Sequence, residues 1–353
     1  MRRRPIVTTA GMTTAILAAS LALAACGGGG GSDGQRVAAT TTTSRAGTTR
    51  APGTTGPAST TAPAGTVSAT NAPWKLASPV AREIVVANEG KLEIVGGLDA
   101  TKFSTAAVVM VDPATGAAQS PATLAEAVHD AAGALVGAKV LVFGGGGPSE
   151  NGTADVQSVP TSGKATIVGK LPGPRSDHVA VTVGTRAYIL GGYDGSAITP
   201  SVLSTTDGTS FETVGNLPVP VRYPAFAVVG RTVYLFGGVA NSQAGTDTAA
   251  VQALDTTTGT ITTVAQLPAS LSHASAVSLD GKIYVLGGYV NNTKLSDQIL
   301  RFDPATKSTT LVGKLPVPLS DAAAAVVGGN GYLVGGQSTD RNPVTTVVVI
   351  RAG

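Results

Sequence analysis

The 353-residue sequence has one cysteine, one tryptophan and an aromatic content of only 4%. Charged residues are scarce as well, at 13%. One cysteine excludes an intrachain disulfide, so no fold here is stapled. Sparse charge argues against a long charged coiled coil and against a histone-like binder. No segment carries a sustained amphipathic helical period. Apolar residues come in short runs, although mean hydropathy is +0.24. A single longer apolar run lies near the N-terminus.

That run, from about Ile6 to Ala25, follows Arg2, Arg3 and Arg4 and contains no Asp or Glu. A basic n-region before an apolar h-region reads as a signal peptide over residues 1–25. Its three arginines account for the whole formal charge of +3, and their removal leaves 21 basic against 21 acidic residues. A neutral mature chain gives no electrostatic case for nucleic acid. The stretch Leu23-Ala24-Ala25-Cys26-Gly27 resembles the lipobox of bacterial lipoproteins. The resemblance implies cleavage before Cys26, acylation of its thiol and anchoring to the outer face of the cell membrane. The h-region is short for a retained transmembrane anchor, and two or three acyl chains suffice for stable anchoring.

Residues 26–70 then change character. Between Gly27 and Thr70 stand 12 threonines and 10 glycines, with no aromatic residue. Such composition predicts a flexible tether with nothing to pack. Thr/Pro/Ala stretches of this kind also occur as glycosylated stalks.

From residue 71 to 353 the sequence repeats. Six Gly-Gly pairs follow short apolar runs, beginning at Gly96, Gly144, Gly191, Gly237, Gly287 and Gly335. Their spacings are 48, 47, 46, 50 and 48 residues. Leucines 76, 124, 171, 217, 267 and 315 keep the same irregular steps. Two markers moving together define an array of six units. Each unit reads as four strands with tight turns, such as Asp280-Gly281 and Asp303-Pro-Ala-Thr306 in the fifth. Four-stranded units of this length close radially, so the expected fold is all-β: a six-bladed β-propeller. The sixth unit ends in one strand, about Thr345 to Ile350, and lacks a fourth. The segment Ala72-Pro-Trp-Lys-Leu76 matches the ends of other fourth strands, so an N-terminal strand is expected to close the last blade. Closure removes exposed sheet edges.

An apolar strand ending in Gly-Gly resembles the Kelch repeat, and the resemblance spans about Trp74 to the C-terminus. The unit departs from the usual Kelch pattern in lacking the regular Tyr and Trp downstream of the glycines. The resemblance implies a propeller whose loops bind a partner. The family also includes enzymes. A copper-radical sugar oxidase would need a cysteine crosslinked to tyrosine, and the lone Cys26 is assigned to lipid. A mutarotase-like, carbohydrate-modifying activity stays open, as does a purely structural role in the cell envelope.

Strand alternation puts the connections entering the first strands and those leaving the second strands on one face. Fourteen residues before each first glycine stand Arg82, Asp130, Asp177, Tyr223, His273 and Asp321. His129, Arg175, His178 and Arg222 lie beside this register. In a chain with few charges, this predicts a polar ring around a channel mouth. Two readings of the ring are open. It binds a polar ligand, or its members cap the blades and bond backbone groups. The Gly-Gly pairs read as close-approach positions, not phosphate loops. No closely spaced ligand motif points to a metal, and no cofactor is implied. Binding is favoured over catalysis: a monomeric, membrane-tethered module for an envelope protein, peptide or glycan.

Overall fold

The computed structural model describes residues 66–353, apart from 148–151 and 242–245. The signal peptide, Cys26 and nearly all of the tether lie outside the described residues. So do most of the loop around Glu150 and part of the one around Gln243.

Among the described residues there is no helix, and six sheets dominate, five of four antiparallel strands and one with a short fifth strand added in parallel. We call these sheets blades, numbered along the chain. Blade 1 comprises Ile84–Asn88, Lys91–Val95, Thr105–Val111 and Ala118–Val128, and its outer edge is covered by Gly163–Lys164 in parallel. Blade 2 comprises Ala132–Val136, Lys139–Phe143, Asp155–Val159 and Thr166–Lys170, and blade 4 Ala225–Val229, Thr232–Phe236, Ala250–Asp255 and Ile261–Gln266. Blade 3 shows the plain pattern: Val179–Val183, Arg186–Leu190, Ser201–Thr205 and Glu212–Asn216, each paired with the next. In blade 5 the strands are Ser275–Leu279, Lys282–Leu286, Gln298–Asp303 and Ser308–Lys314, close to the sequence expectation. A small three-stranded crown, Leu271–Ser272, Tyr289–Val290 and Lys294–Leu295, stands above it.

Blade 6 is closed by the N-terminal strand. Val67–Asn71 pairs antiparallel with Val347–Ala352, and Ala72 N–H continues the ladder to the Val347 carbonyl. The strand begins earlier than Ala72-Leu76, inside the stretch read as tether. Its Val67-Ser-Ala-Thr sequence is no poorer in strand formers than the Thr-rich outer strands elsewhere. Trp74 follows it, donates its indole N–H to the Pro113 carbonyl at 3.1 Å and packs on Gly116.

The core is six apolar layers, each shared by two neighbouring blades. Phe143, Leu171 and Ile189 join blades 2 and 3. Leu92, Ile94, Tyr332 and Val349 join blades 6 and 1. The repeated tyrosines Tyr188, Tyr284 and Tyr332 are buried in these layers, consistent with packing.

The Gly-Gly pairs clasp the blades together. Each second glycine donates its N–H to a carbonyl beside the entry to the next blade: Gly97 to Val128, Gly145 to Arg175, Gly192 to Val221, Gly238 to Leu271, Gly288 to Leu319 and Gly336 to Val80. The last of these closes the circle. Each first glycine has a positive φ and faces the same carbonyl so closely that a Cβ would stand 2.0–2.7 Å from it. Only glycine permits both the backbone conformation and the approach.

Candidate functional site

The six register residues form a second closed ring. Arg82 N–H donates to the Asp321 carbonyl, Asp130 to Arg82, Asp177 to Asp130, Tyr223 to Asp177, His273 to Tyr223 and Asp321 to His273. These bonds run 2.8–3.1 Å. All six residues are left-handed, with φ between 52° and 59°. Asp tolerates that conformation, whereas Arg, Tyr and His gain nothing from it. Their side chains must justify them.

Those side chains meet over the channel mouth. Arg82 Nη1 bonds Asp130 Oδ2 at 2.9 Å and reaches across to the Tyr223 hydroxyl at 3.2 Å, while its Nε lies 3.6 Å from Asp321 Oδ1. Tyr223 O–H donates to Asp130 at 3.3 Å. His273 Nδ1 pairs with Asp321 at 2.7 Å, and its ring stacks on Tyr223 with centroids 4.0 Å apart. Charged partners strengthen these bonds, although the buried Arg82 Nε makes no hydrogen bond. Beneath it the channel holds a cavity of about 150 Å³, walled largely by Ala132, Gly133, Ala180, Ala276 and Ala324.

The plug is asymmetric. Toward blades 4 to 6 the mouth is filled by consecutive rings: Arg341 over Tyr289, Tyr289 edge-on to His273, then Tyr223. Toward blades 2 and 3 it opens into a cleft of about 420 Å³. One wall is glycine: Gly146, Gly147 and Gly152. The other carries Arg222, whose guanidinium lies 5.0 Å from the Tyr193 ring centre and 5.6 Å from that of Tyr223. Asp130, Asp177 and Arg82 line it, with His129 and Ser176. Arg222 is held loosely. Its single ion pair, to Asp177 Oδ2, is 3.4 Å long, and its buried Nε has no partner. Five donors with one long bond leave capacity for a ligand.

Electrostatics divides the acids. Burial and the Asp130 carboxylate push Asp177 well above the usual carboxylate range, against the pull of Arg222. Burial pushes Asp321 the same way, but His273 and Arg82 outweigh it and hold the group below its ordinary value. Burial and nearby carboxylates push the Tyr223 phenol up. Burial lowers His129, whose Nδ1 lies 2.8 Å from the Ser104 hydroxyl.

Of the ten rim candidates, eight stand at the mouth: Arg82, His129, Asp130, Asp177, Arg222, Tyr223, His273 and Asp321. Arg175 and His178 do not share the network. Arg175 turns into blade 3 and donates to the Gly191 and Ser201 carbonyls and the Ser201 hydroxyl. Burial lowers it to about 10. His178 is buried with no side-chain partner for either ring nitrogen, and burial with Arg175 nearby lowers it to about 3. The repeats contain the reason. Two residues before the register the other units have Val80, Val128, Val221, Leu271 and Leu319, an inward position. One residue after it four of the others have Ala131, Pro224, Ala274 and Ala322. Glu83 shares His178's position, and Tyr193 stands in the loop after the third Gly-Gly pair; both belong to the loop face but lie outside the register. Among the described residues no cluster of three or more His, Cys, Asp or Glu is suited to a metal.

Comparison with known proteins agrees with this geometry. The family model of the KLHDC2/KLHL20/DRC7 Kelch-repeats domain matches residues 202–350, and the Kelch motif matches residues 174–204. The Kelch-like protein terF of Aspergillus terreus (strain NIH 2624 / FGSC A1156) is 37% identical over 78 residues, which is 22% of this chain. The matched stretch is 17% of that protein's length. The solved structure of YjhT superposes with a TM-score of 0.67 at 16% identity, covering 79% of this chain and 96% of that one. At that identity the likeness is one of fold. The chain is thus an all-β propeller carrying Kelch repeats.

Proposed function

We propose that this chain is an extracytoplasmic binding module, tethered through lipidated Cys26, that holds a peptide or glycan in the cleft between blades 2 and 4. The observation that carries the reading is the open sector of an otherwise filled channel mouth. There a glycine wall faces a loosely held Arg222 set between Tyr193 and Tyr223. Glycine lets a ligand backbone come close, and the Tyr and Arg surfaces give amphipathic contact with directional hydrogen bonds.

Topology supports the tether. Val67 pairs with Ala352 and Ile350 with Gly331, so the N-terminal strand starts at the end of blade 6 that holds the hairpin turn before Asn330. The cleft belongs to the opposite end, among the loops after the glycines. The chain therefore enters the propeller at the end away from the cleft. We take the module to act as a monomer.

The test uses the full chain with two variants. Arg222→Ala removes the free donors. Gly147→Gln fills the cleft from a wall where a Cβ meets nothing nearer than 3.9 Å, at little cost in stability. Binding is measured to a panel of cell-wall glycan fragments and to a random peptide library. We expect each variant to weaken bound clones or fragments about tenfold or more, as loss of a charged hydrogen-bonding partner does, with unchanged melting. Equal binding by wild type and both variants rejects the cleft. Turnover of a sugar by the protein alone would instead favour catalysis, with Asp177 as the candidate acid.

A further inference from the structure

The outer strand of blade 6 differs from the other outer strands in how it is tied. In blades 1 to 5 the chain runs directly from the third strand into the fourth, so the polypeptide itself carries tension between them. In blade 6 no such connection joins Val347–Ala352 to Val67–Asn71, which comes from the tether side of the chain. A pull on the tether reaches the rest of this blade only through non-covalent contacts.

Three sets of contacts hold the strand. Its backbone pairs with Val347–Ala352 from Val67 opposite Ala352 to Asn71 opposite Val348. Gly353 N–H adds a bond to the Thr66 carbonyl at 2.8 Å, and Ala72, Leu76 and Val80 extend the ladder to the Val347, Thr345 and Val344 carbonyls. On the second side Val67 and Ala69 pack against the layer shared by blades 5 and 6. A Cβ on Gly313 of blade 5 would stand 3.1 Å from Val67 Cγ1.

The third contact is Trp74. Two residues before the repeated leucines the other units have Ala122, Gly169, Gly215, Ala265 and Gly313, whereas Trp74 precedes Leu76. Gly169 shows what that column ordinarily meets: a Cβ there would stand 2.3 Å from the Gly208 carbonyl oxygen, in the outer turn of the next blade. The outer turn of blade 1 instead makes room for an indole. Pro113 offers its carbonyl to Trp74 Nε1 at 3.1 Å, and a Cβ on Gly116 would stand 2.4 Å from Trp74 Cγ. The ring packs on the layer of Leu92 and Val111. Trp74 thus keys the closing segment into blade 1 as well as blade 6.

Direction decides what these contacts resist. Antiparallel hydrogen bonds lie across their strands. Val67 marks the end away from the cleft and Asn71 the end toward it. Tension on the tether, opposed by a ligand at the loop face, therefore pulls the strand along its own length. The paired residues and Trp74 must then yield together. Pulling Thr66 away from Gly353 instead peels the pairs one after another, beginning at Val67.

Resting on the anchored reading above, we propose that residues 67–76 are the mechanical root of the propeller, transmitting tension between the membrane anchor and a ligand on the loop face, with Trp74 as the key that stops the segment from sliding out.

The test is single-molecule force spectroscopy on the full chain made without lipidation, so that Cys26 offers its thiol as one handle. The second handle is either Thr339→Cys, in the loop after the sixth Gly-Gly pair, or a cysteine added after Gly353. We expect the first opening event to need at least about twofold more force with the loop-face handle than with the C-terminal one, because bonds pulled in parallel share the force. Trp74→Gly, the residue of blades 2, 3 and 5 at this column, should remove about half of that excess or more. It should leave the first event of the peeling geometry unchanged, since peeling reaches Trp74 last. Trp74→Phe keeps a ring and should retain most of the excess. Equal forces in the two geometries overturn the root. A Trp74→Gly chain weakened alike in both geometries makes Trp74 a general stabiliser and overturns the key. Wild type and Cys26→Ala are fractionated in parallel from a host that exports the chain. Membrane association that survives Cys26→Ala overturns the anchored reading and the proposal with it, whereas equal forces with Cys26-dependent association overturn the root alone.

Discussion

Gly237→Ala should destabilise the propeller by about 3–5 kcal/mol, whereas Gly230→Ala, seven residues away in the same blade, should cost only about 1 kcal/mol. The two glycines have nearly the same backbone, with φ of 62° and 61°. The left-handed strain of an alanine is therefore common to both. What differs is the surroundings. A Cβ on Gly230, in the turn between the first two strands of blade 4, meets nothing within 4 Å. A Cβ on Gly237 would stand 2.0 Å from the Leu271 carbonyl oxygen and 3.2 Å from the Thr248 carbonyl oxygen. Leu271 O is the acceptor from Gly238 N–H that clasps blade 4 to blade 5. It is backbone, so it yields only by moving blade 5, whose buried Leu271, Ile283 and Phe302 share one layer with Phe236 and Val251. Urea unfolding of the two variants beside wild type measures the difference. If their midpoints fall within about 1 kcal/mol of each other, the pairs serve only turn conformation and the clasp explanation fails.

This contrast also shows how much of the fold was legible in the sequence. Irregular steps of 46 to 50 residues shared by glycines and leucines placed every blade, because a clasp needing glycine at one point per blade leaves a periodic trace. The register of Arg82, Asp130, Asp177, Tyr223, His273 and Asp321 was legible for the same reason. In the structure the backbones of that register bond blade to blade, and the side chains fill the channel mouth. Other features left weaker traces. The first residues of the closing strand, Val67 to Thr70, share their composition with the tether, and pairing with Val347–Ala352 selects strand there. Arg175 and His178 look like rim residues because they flank Asp177. Their burial is visible only when each column of the six repeats is read separately, since the inward columns are otherwise Val, Leu, Ala or Pro.

The column that holds Glu83 and His178 leads to the second large effect. Stability should fall as pH rises from about 4.5 to about 8, and Glu83→Gln should relieve part of that loss. Burial pushes the Glu83 carboxyl from 4.5 up to about 8, with Asp321 adding to the shift and the Ala323 N–H bond opposing it. Its Oε1 accepts that bond at 3.2 Å, and its buried Oε2 has no partner. Because the folded pKa is raised, the folded chain binds more protons than the unfolded chain between 4.5 and about 8. Stability therefore drops as pH rises through that window, is fully reduced above it, and is unaffected below 4.5. His178 gives the acid limb. Its folded pKa is lowered from 6.5 to about 3, so its contribution is intact above 6.5 and is lost as pH falls toward 3. Glu83→Gln keeps an oxygen for the Ala323 N–H and removes the charge that burial penalises. Urea midpoints from pH 4.5 to 8.5 should rise in this variant by the equivalent of a few kcal/mol at the alkaline end and match wild type near pH 4.5. Parallel curves for the two proteins would mean that the Glu83 carboxylate is solvated or paired when ionised. The ionised group would then have to open the joint between blades 6 and 1, which is where Glu83 meets Ala323 and Gly335. The same joint holds the N-terminal closing strand, so an alkaline loss confined to wild type would locate the weakest seam of the ring where the chain's two ends meet.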